Sequence, residues 1–158
     1  MNINKEKYIY DDLKEFYNKN KSQLYTYQDL ELSGKNEYEI SIKKSYQLKE
    51  YEKNRLSNEL IEIIINVSKE YKQIKKLINY INANPVILYY DNYIKLLKNY
   101  LKYNDELKKN FDKFIINLVT KSSCEEIVKL GIISSCLCST DNLKEILEVF
   151  TIHNEYIF

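Results

Sequence analysis

Glycine and proline are so scarce in this chain that few folds other than a helical one are open to it. The 158 residues include two glycines, Gly34 and Gly131, and one proline, Pro85. Tight turns between strands depend on these residue types, because glycine adopts backbone angles that other residues resist and proline pre-sets its own. Helices can instead be joined by Asn, Asp and Ser. The sequence therefore predicts an all-α fold.

The length and the charge of the chain favour one domain without a basic surface. A chain of 158 residues is long enough for one hydrophobic core. We predict a single α-helical domain of six to eight helices over 1–158, with N-terminal helices in 1–84 and helical hairpins in 85–158. The formal net charge of +1 lacks the basic excess of nucleic-acid binders and gives no polybasic membrane anchor.

Several features favour a cytoplasmic protein. No stretch has 18 consecutive apolar residues, so no transmembrane helix is expected, and residues 1–12 lack the apolar core of a signal peptide. The three cysteines, Cys124, Cys136 and Cys138, are odd in number and crowd one end, unlike a disulfide framework. The abundance of Tyr, Lys and Asn is typical of an AT-rich genome. We expect a small bacterial or phage protein with reduced thiols.

Apolar residues recur three and four positions apart through most of the chain, which is the period of a helix with one buried face. The pattern predicts helices over about 5–20, 46–81 (as one helix or two), 86–103, 105–120, 124–138 and 142–152. The exception is 25–43, where alternating residues near Gly34 are compatible with a small β-hairpin.

Three local signals predict details of the C-terminal helices. Asn104 is placed to cap the helix that follows it. Ser123 and Glu126 match the capping box, in which each side chain satisfies the other residue's free backbone N–H. Gly131 lies inside a helix, where it costs about 1 kcal/mol relative to alanine. That cost predicts that a neighbouring helix crosses closely at Gly131.

The C-terminal segments resemble HEAT-type (armadillo-type) α-helical repeats. One predicted hairpin joins 86–103 to 105–120, and the other joins 124–138 to 142–152. The second has an amphipathic helix with a small residue at its centre, a polar turn that contains Asp, and a helix lined by Leu and Ile. The spacing of the hairpins is close to the roughly 40–47 residues of a HEAT repeat. The resemblance implies a short α-solenoid whose concave surface binds another macromolecule, often a protein.

The sequence offers one set of residues of metal-binding type: Cys124, Cys136, Cys138 and His153. Zinc needs four convergent nitrogen or sulfur ligands. Two cysteines two positions apart on a helix point about 200° apart, so they cannot face one ion. We predict buried thiols, no metal and no cofactor. His153 lies near a helix C-terminus, where the helix dipole favours positive charge, and no catalytic residue is predicted.

Two charged groups are compatible with other functions. Glu37, Glu39 and Lys43 resemble the layout of metal-dependent nucleases, but such sites need a sheet edge to hold Mg²⁺. Lysines over 69–76 share a helical face with Tyr71 nearby, and lysine with aromatic residues can hold a nucleic-acid backbone. The interspersed glutamates favour an ordinary solvated surface for both groups.

Five tyrosines over 89–103 are spread too widely around one helix for all of them to be buried. Tyrosine is favoured at protein interfaces because it combines a large apolar area with a polar tip. The predicted partner-binding residues are Tyr89, Tyr93, Tyr100, Lys72 and Lys76.

From these features we predict a non-catalytic protein–protein interaction module. An immunity or inhibitor protein that binds a toxin or a defence enzyme is one specific form of it. The alternatives are a nucleic-acid-binding module that uses the lysine face over 69–76, and an enzyme of a type that the sequence does not reveal.

Overall fold

Helices are the only regular elements in the part of the chain that the computed structural model describes, residues 8–19, 43–69, 73–152 and 156. The predicted all-α class is confirmed. The α-helices are α1 (Ile9–Lys19), α2 (Glu50–Lys69), α3 (Ile74–Ala83), α4 (Tyr90–Tyr103), α5 (Asp105–Thr120), α6 (Glu125–Ser134) and α7 (Asn142–Phe150). A short helical segment over 43–47 precedes α2, and 3₁₀ turns cover Val86–Leu88 and Ser135–Leu137.

Two predictions about the N-terminal half meet different outcomes. The helical period over 46–81 belongs to two helices, since α2 ends at Lys69 and α3 begins at Ile74. The β-hairpin predicted around 25–43 lies outside the described residues, except for its last residue, which is helical. Among the described helices, none combines the length and the hydropathy needed to cross a bilayer.

Helices α2 and α6 lie at the centre of the packing. Helix α2 packs along α4 and also contacts α3 and α5, while α6 packs on α5 and contacts α3 and α4. The buried stripe of α2 consists of Leu56, Leu60, Ile61, Ile63, Ile64 and Val67. Burial of one such side chain stabilises the fold by about 1.5–3 kcal/mol. Because α2 packs on α4 and α5, the predicted segments 1–84 and 85–158 share one core.

Helices α5 and α6 approach each other closely at Gly131, as predicted. A Cβ atom added to Gly131 would lie 2.6 Å from Val119 Cγ2 and 3.3 Å from Leu118 Cβ. Non-bonded carbon atoms pack at about 3.5–4.0 Å. A side chain at this position would therefore push the two helices apart, which explains why a residue of poor helix propensity lies inside α6.

Helices α1 and α7 pack against each other at one side of the core. The Tyr10 and Phe150 rings lie 5.9 Å apart, and Tyr156 meets Phe150 edge to face at 5.2 Å. Among the described helices, α7 packs chiefly on α1, whereas α6 packs chiefly on α5. This arrangement identifies no repeat type, so the HEAT-type resemblance stays a prediction.

The two predicted helix caps have opposite outcomes. Asn104 Oδ1 accepts a hydrogen bond from the Leu107 backbone N–H at 2.9 Å, which confirms the first. The capping box at Ser123 is wrong, because α6 has Cys124 as its N-cap residue and no side-chain cap. The Glu126 carboxylate lies 3.1 Å from Lys129 Nζ instead. Glu126 thus forms an ion pair within α6 instead of the predicted hydrogen bond to the Ser123 backbone N–H.

Asp112 on α5 holds the connection between α6 and α7. Its Oδ2 atom accepts hydrogen bonds from Thr140 Oγ1 at 2.6 Å, from Ser139 Oγ at 3.1 Å and from the Ser139 N–H at 3.3 Å. Partial burial raises the pKa of Asp112, but these hydrogen bonds outweigh that effect and hold the pKa below its ordinary value. The ionised carboxylate is therefore the form that ties α5 to the turn before α7.

Replacing Asp112 by asparagine is expected to lower the free energy of unfolding by about 1 kcal/mol at neutral pH, because a charged acceptor forms stronger hydrogen bonds than an amide. The folded pKa lies below the unfolded value of about 3.9. The contribution is therefore present above about pH 4 and is lost as the pH falls through the lower folded pKa. Urea unfolding of both proteins at several pH values measures this, and a difference that stays constant down to about pH 2.5 contradicts it.

Candidate functional site

The predicted tyrosine surface divides into a buried part and an exposed part. Tyr89 and Tyr93 are fully buried, with hydroxyls bonded to the Asn84 carbonyl oxygen at 3.0 Å and to Ser134 Oγ at 2.7 Å. The prediction that Tyr89 and Tyr93 bind a partner is therefore corrected. Tyr93 lies one turn before Leu97 on the buried face of α4. Neighbouring helices cover this face, which the sequence of α4 alone does not show.

A chain of buried hydrogen bonds holds Tyr93 in the core. Ser134 Oγ donates to the Leu130 carbonyl oxygen at 2.7 Å, so the Tyr93 hydroxyl is the donor in its bond to Ser134. Burial raises the pKa of Tyr93, which keeps the phenol neutral and able to donate. Both buried hydroxyls have partners, as buried polar groups require.

The other predicted partner-binding residues lie elsewhere on the molecule. Tyr100 is 38% exposed, and Lys76 is exposed on α3. Lys72 lies outside the described residues. The lysine face predicted over 69–76 is divided, because Lys69 ends α2 whereas Lys76 lies on α3. Lys69 Nζ lies 3.7 Å from the Glu106 carboxylate, so an acidic partner offsets part of its positive charge. The binding roles of Tyr100, Lys72 and Lys76 stay predictions.

A groove opens where the segment over 43–47, the start of α4 and the end of α6 meet. It encloses about 720 Å³. We call it the Tyr46–Tyr90 groove, after its two exposed rings, which are 83% and 44% exposed. Its lining is Ser45, Tyr46, Lys53, Ile87, Tyr90, Asp91, Ile94, Ile132, Ile133 and Cys136. Six of these ten side chains are isoleucine or tyrosine, so an apolar chain segment could desolvate the surface on binding.

The groove contains few groups suited to catalysis. Lys53 Nζ donates a hydrogen bond to Ser45 Oγ at 3.3 Å, and Asp91 lies in the first turn of α4. Partial burial raises the pKa of the Cys136 thiol, although Lys98 nearby opposes the shift. A raised pKa keeps the thiol protonated, which is its less nucleophilic form. These groups can hydrogen-bond or pair with an incoming charge.

The three cysteines are free thiols, but the prediction that they are buried is wrong, because Cys136 is exposed and Cys124 and Cys138 are only half-buried. Burial is the main cause that raises the pKa of Cys138 to about 12, and the neighbouring Asp112 carboxylate adds to it. The Cys138 thiol is therefore protonated and can donate a weak hydrogen bond to Asp112. Within the described ranges, no group of three or more His, Cys, Asp or Glu residues could hold a metal ion. His153, the fourth member of the set considered for zinc, lies outside those ranges.

Two weak signals for the groove are present in the sequence. Tyr90 and Ile94 are four positions apart and form a stripe on α4 directly beside the buried Tyr93–Leu97 stripe. The adjacent pair Ile132 and Ile133 widens the apolar surface of α6 beyond what one neighbouring helix covers. Neither signal shows that these surfaces meet, because they are brought together only by the packing of α4 beside α6.

Comparison of the chain with protein-family models, curated proteins and solved structures finds no match. The groove geometry and its side-chain chemistry therefore carry the functional inference.

Proposed function

We propose that this protein is a non-catalytic binding module that holds a segment of another protein in the Tyr46–Tyr90 groove. The observation that carries the proposal is the convergence of two exposed tyrosines and four isoleucines on one groove of about 720 Å³. Tyrosine is enriched at protein interfaces, and the partly exposed isoleucines give a bound segment apolar side chains to pack against. The segment would bury its own apolar side chains against Ile94, Ile132 and Ile133.

The polar groups of the groove support binding rather than chemistry. A nucleophile needs a base within hydrogen-bond reach to become reactive. The Cys136 thiol stays protonated, and the Lys53 ammonium is a hydrogen-bond donor to a neutral hydroxyl. Such groups can select a partner by charge and by hydrogen bonding while the isoleucines and tyrosines supply the buried area.

Inhibition is the specific form of this function that we favour. The protein would act in the cytoplasm as an immunity or inhibitor protein that occludes a toxin or a defence enzyme. The small size of the chain and a helical body that presents a docking groove support this form. The HEAT-type resemblance of 85–158 also supports protein binding, since such repeats bind partners along their surfaces.

Removing the two groove tyrosines is expected to abolish partner capture. We expect affinity purification from the source organism's lysate to recover one protein in stoichiometric amount with the wild type. The Tyr46→Ala/Tyr90→Ala variant should recover at least about tenfold less, because central interface tyrosines each contribute on the order of 1–2 kcal/mol. Circular dichroism would confirm that this variant is folded.

Tyr103 gives a matched control, because it is 80% exposed and does not line the groove. The Tyr103→Ala variant should retain the partner. Equal recovery by the wild type and by the double groove variant contradicts the proposal. Recovery of nucleic acid that elutes between about 0.15 M and 0.5 M salt would instead support the lysine face over 69–76, since phosphate contacts weaken steeply with salt.

A further inference from the structure

Lys53 is the cationic side chain in the described lining of the groove. It is half-buried, and its ammonium donates to the neutral Ser45 hydroxyl at 3.3 Å. Lys53 forms no ion pair with any carboxylate among the described residues. The groove also contains Asp91, but that carboxylate lies in the first turn of α4, where the helix dipole stabilises a negative charge.

The two acidic side chains nearest to Lys53 in the chain already have other partners. The Glu52 carboxylate accepts a hydrogen bond from the Lys49 backbone N–H at 3.0 Å, in the first turn of α2. The Glu50 carboxylate accepts one from Asn92 Nδ2 at 2.6 Å. Within the described residues, these two carboxylates hold the first turns of α2 and α4, which leaves the Lys53 ammonium available to a charge from outside.

The surroundings of Lys53 make such a charge more effective than it would be on an open surface. Lys53 shares the groove with Ile87, Ile94 and the ring of Tyr90. A bound segment that covers these side chains would exclude water from the ammonium, and charges attract more strongly as the local dielectric constant falls. An unpaired ammonium under the same cover would carry a desolvation penalty, so an apolar segment without a carboxylate would bind less well.

We propose that the groove binds an acidic, apolar segment of a partner protein, with one Asp or Glu side chain of that segment paired to Lys53. The apolar side chains of the segment lie against Ile94 and Ile133, and the volume of about 720 Å³ is within the roughly 300–1,000 Å³ of ligand pockets. This inference rests on the proposed protein-binding function and adds the chemistry of the partner.

The test is selection of a random peptide library displayed on phage against three forms of the full chain. Wild-type protein should enrich peptides in which Asp or Glu lies beside Leu, Ile or Phe. The Lys53→Glu variant should enrich Lys or Arg at that place, because the charge of the site is reversed. The Lys102→Glu variant reverses a charge on an exposed side chain outside the groove lining, so it is the control and should keep the acidic preference of the wild type.

A synthetic peptide from the wild-type selection then gives the size of the effect. Lys53→Met keeps most of the apolar stem of the side chain and removes the charge. It should weaken binding of the peptide by about fivefold to tenfold, the range for a partly buried ion pair. Fluorescence polarisation at fixed salt concentration measures the dissociation constants.

The possible failures of the two proposals are distinguishable. If the wild type and Lys53→Glu both enrich apolar peptides without charged side chains, the pairing with Lys53 is wrong, but the groove still binds an apolar segment. Peptides whose affinity is unchanged in Tyr46→Ala/Tyr90→Ala bind elsewhere and overturn both proposals. A selection that enriches no peptide overturns the inference that the groove accepts a linear acidic segment.

Discussion

Replacing Tyr93 by alanine is expected to lower the free energy of unfolding by about 3–5 kcal/mol, the range for truncation of a buried aromatic side chain. Tyr93 is fully buried on α4, and its hydroxyl bonds to Ser134 of α6 at 2.7 Å. Alanine would leave a cavity between these helices and remove the hydrogen bond. Urea denaturation followed by circular dichroism measures the change.

Two further variants separate the contributions of the ring and the hydroxyl. Tyr93→Phe keeps the ring and should cost about 1 kcal/mol, because Ser134 retains its bond to the Leu130 carbonyl oxygen. Tyr100→Ala removes a partly exposed ring and should change the unfolding free energy by about 0.5 kcal/mol or less. A stable Tyr93→Ala protein that has lost partner binding would show that the ring belongs to an interface, contrary to the structure.

Replacing Gly131 by alanine is expected to lower the free energy of unfolding by up to about 2 kcal/mol, although alanine is the better helix former. The gain in helix propensity is about 1 kcal/mol. The new Cβ would lie 2.6 Å from Val119 Cγ2 and 3.4 Å from the Val119 backbone nitrogen. Valine is stiff about its first side-chain torsion and Val119 is fully buried, so α5 itself must move, at an overpacking cost of about 1–3 kcal/mol.

A double-mutant cycle shows whether Val119 is the cause. Val119→Ala alone is destabilising because it removes buried methyl groups. In that background Gly131→Ala should cost at least about 1 kcal/mol less than in the wild type, because the Cγ2 atom is gone. Additive effects of the two substitutions would show that the contact with Val119 does not limit the side chain at position 131.

The features that could be predicted from the sequence are those that depend on neighbours in the chain. The scarcity of glycine and proline and the helical period predict the all-α class, and Asn104 lies directly before the helix that it caps. The close crossing at Gly131 was predictable because only a packing constraint compensates for a glycine inside an apolar helix. The capping box at Ser123 failed because the helix has Cys124 as its N-cap, which puts Glu126 at the second helical position instead of the third.

The groove could not be predicted because its lining comes from separate parts of the chain. Tyr46, Tyr90 and Ile133 belong to three helical segments and meet only after α2, α4 and α6 have packed. The same limit explains the correction for Tyr89 and Tyr93. The pattern of α4 shows that some tyrosines must remain exposed, but the positions of the neighbouring helices decide which ones.

Site-specific photo-crosslinking tests the central claim most directly, namely that a partner protein docks in the Tyr46–Tyr90 groove. The photoreactive residue p-benzoylphenylalanine would replace Tyr46 in one protein and Tyr103 in another, since both side chains are highly exposed and only Tyr46 lines the groove. Irradiation in cells of the source organism should link one protein to position 46 and none to position 103. Crosslinks of equal yield at both positions, or to nucleic acid alone, would contradict the claim.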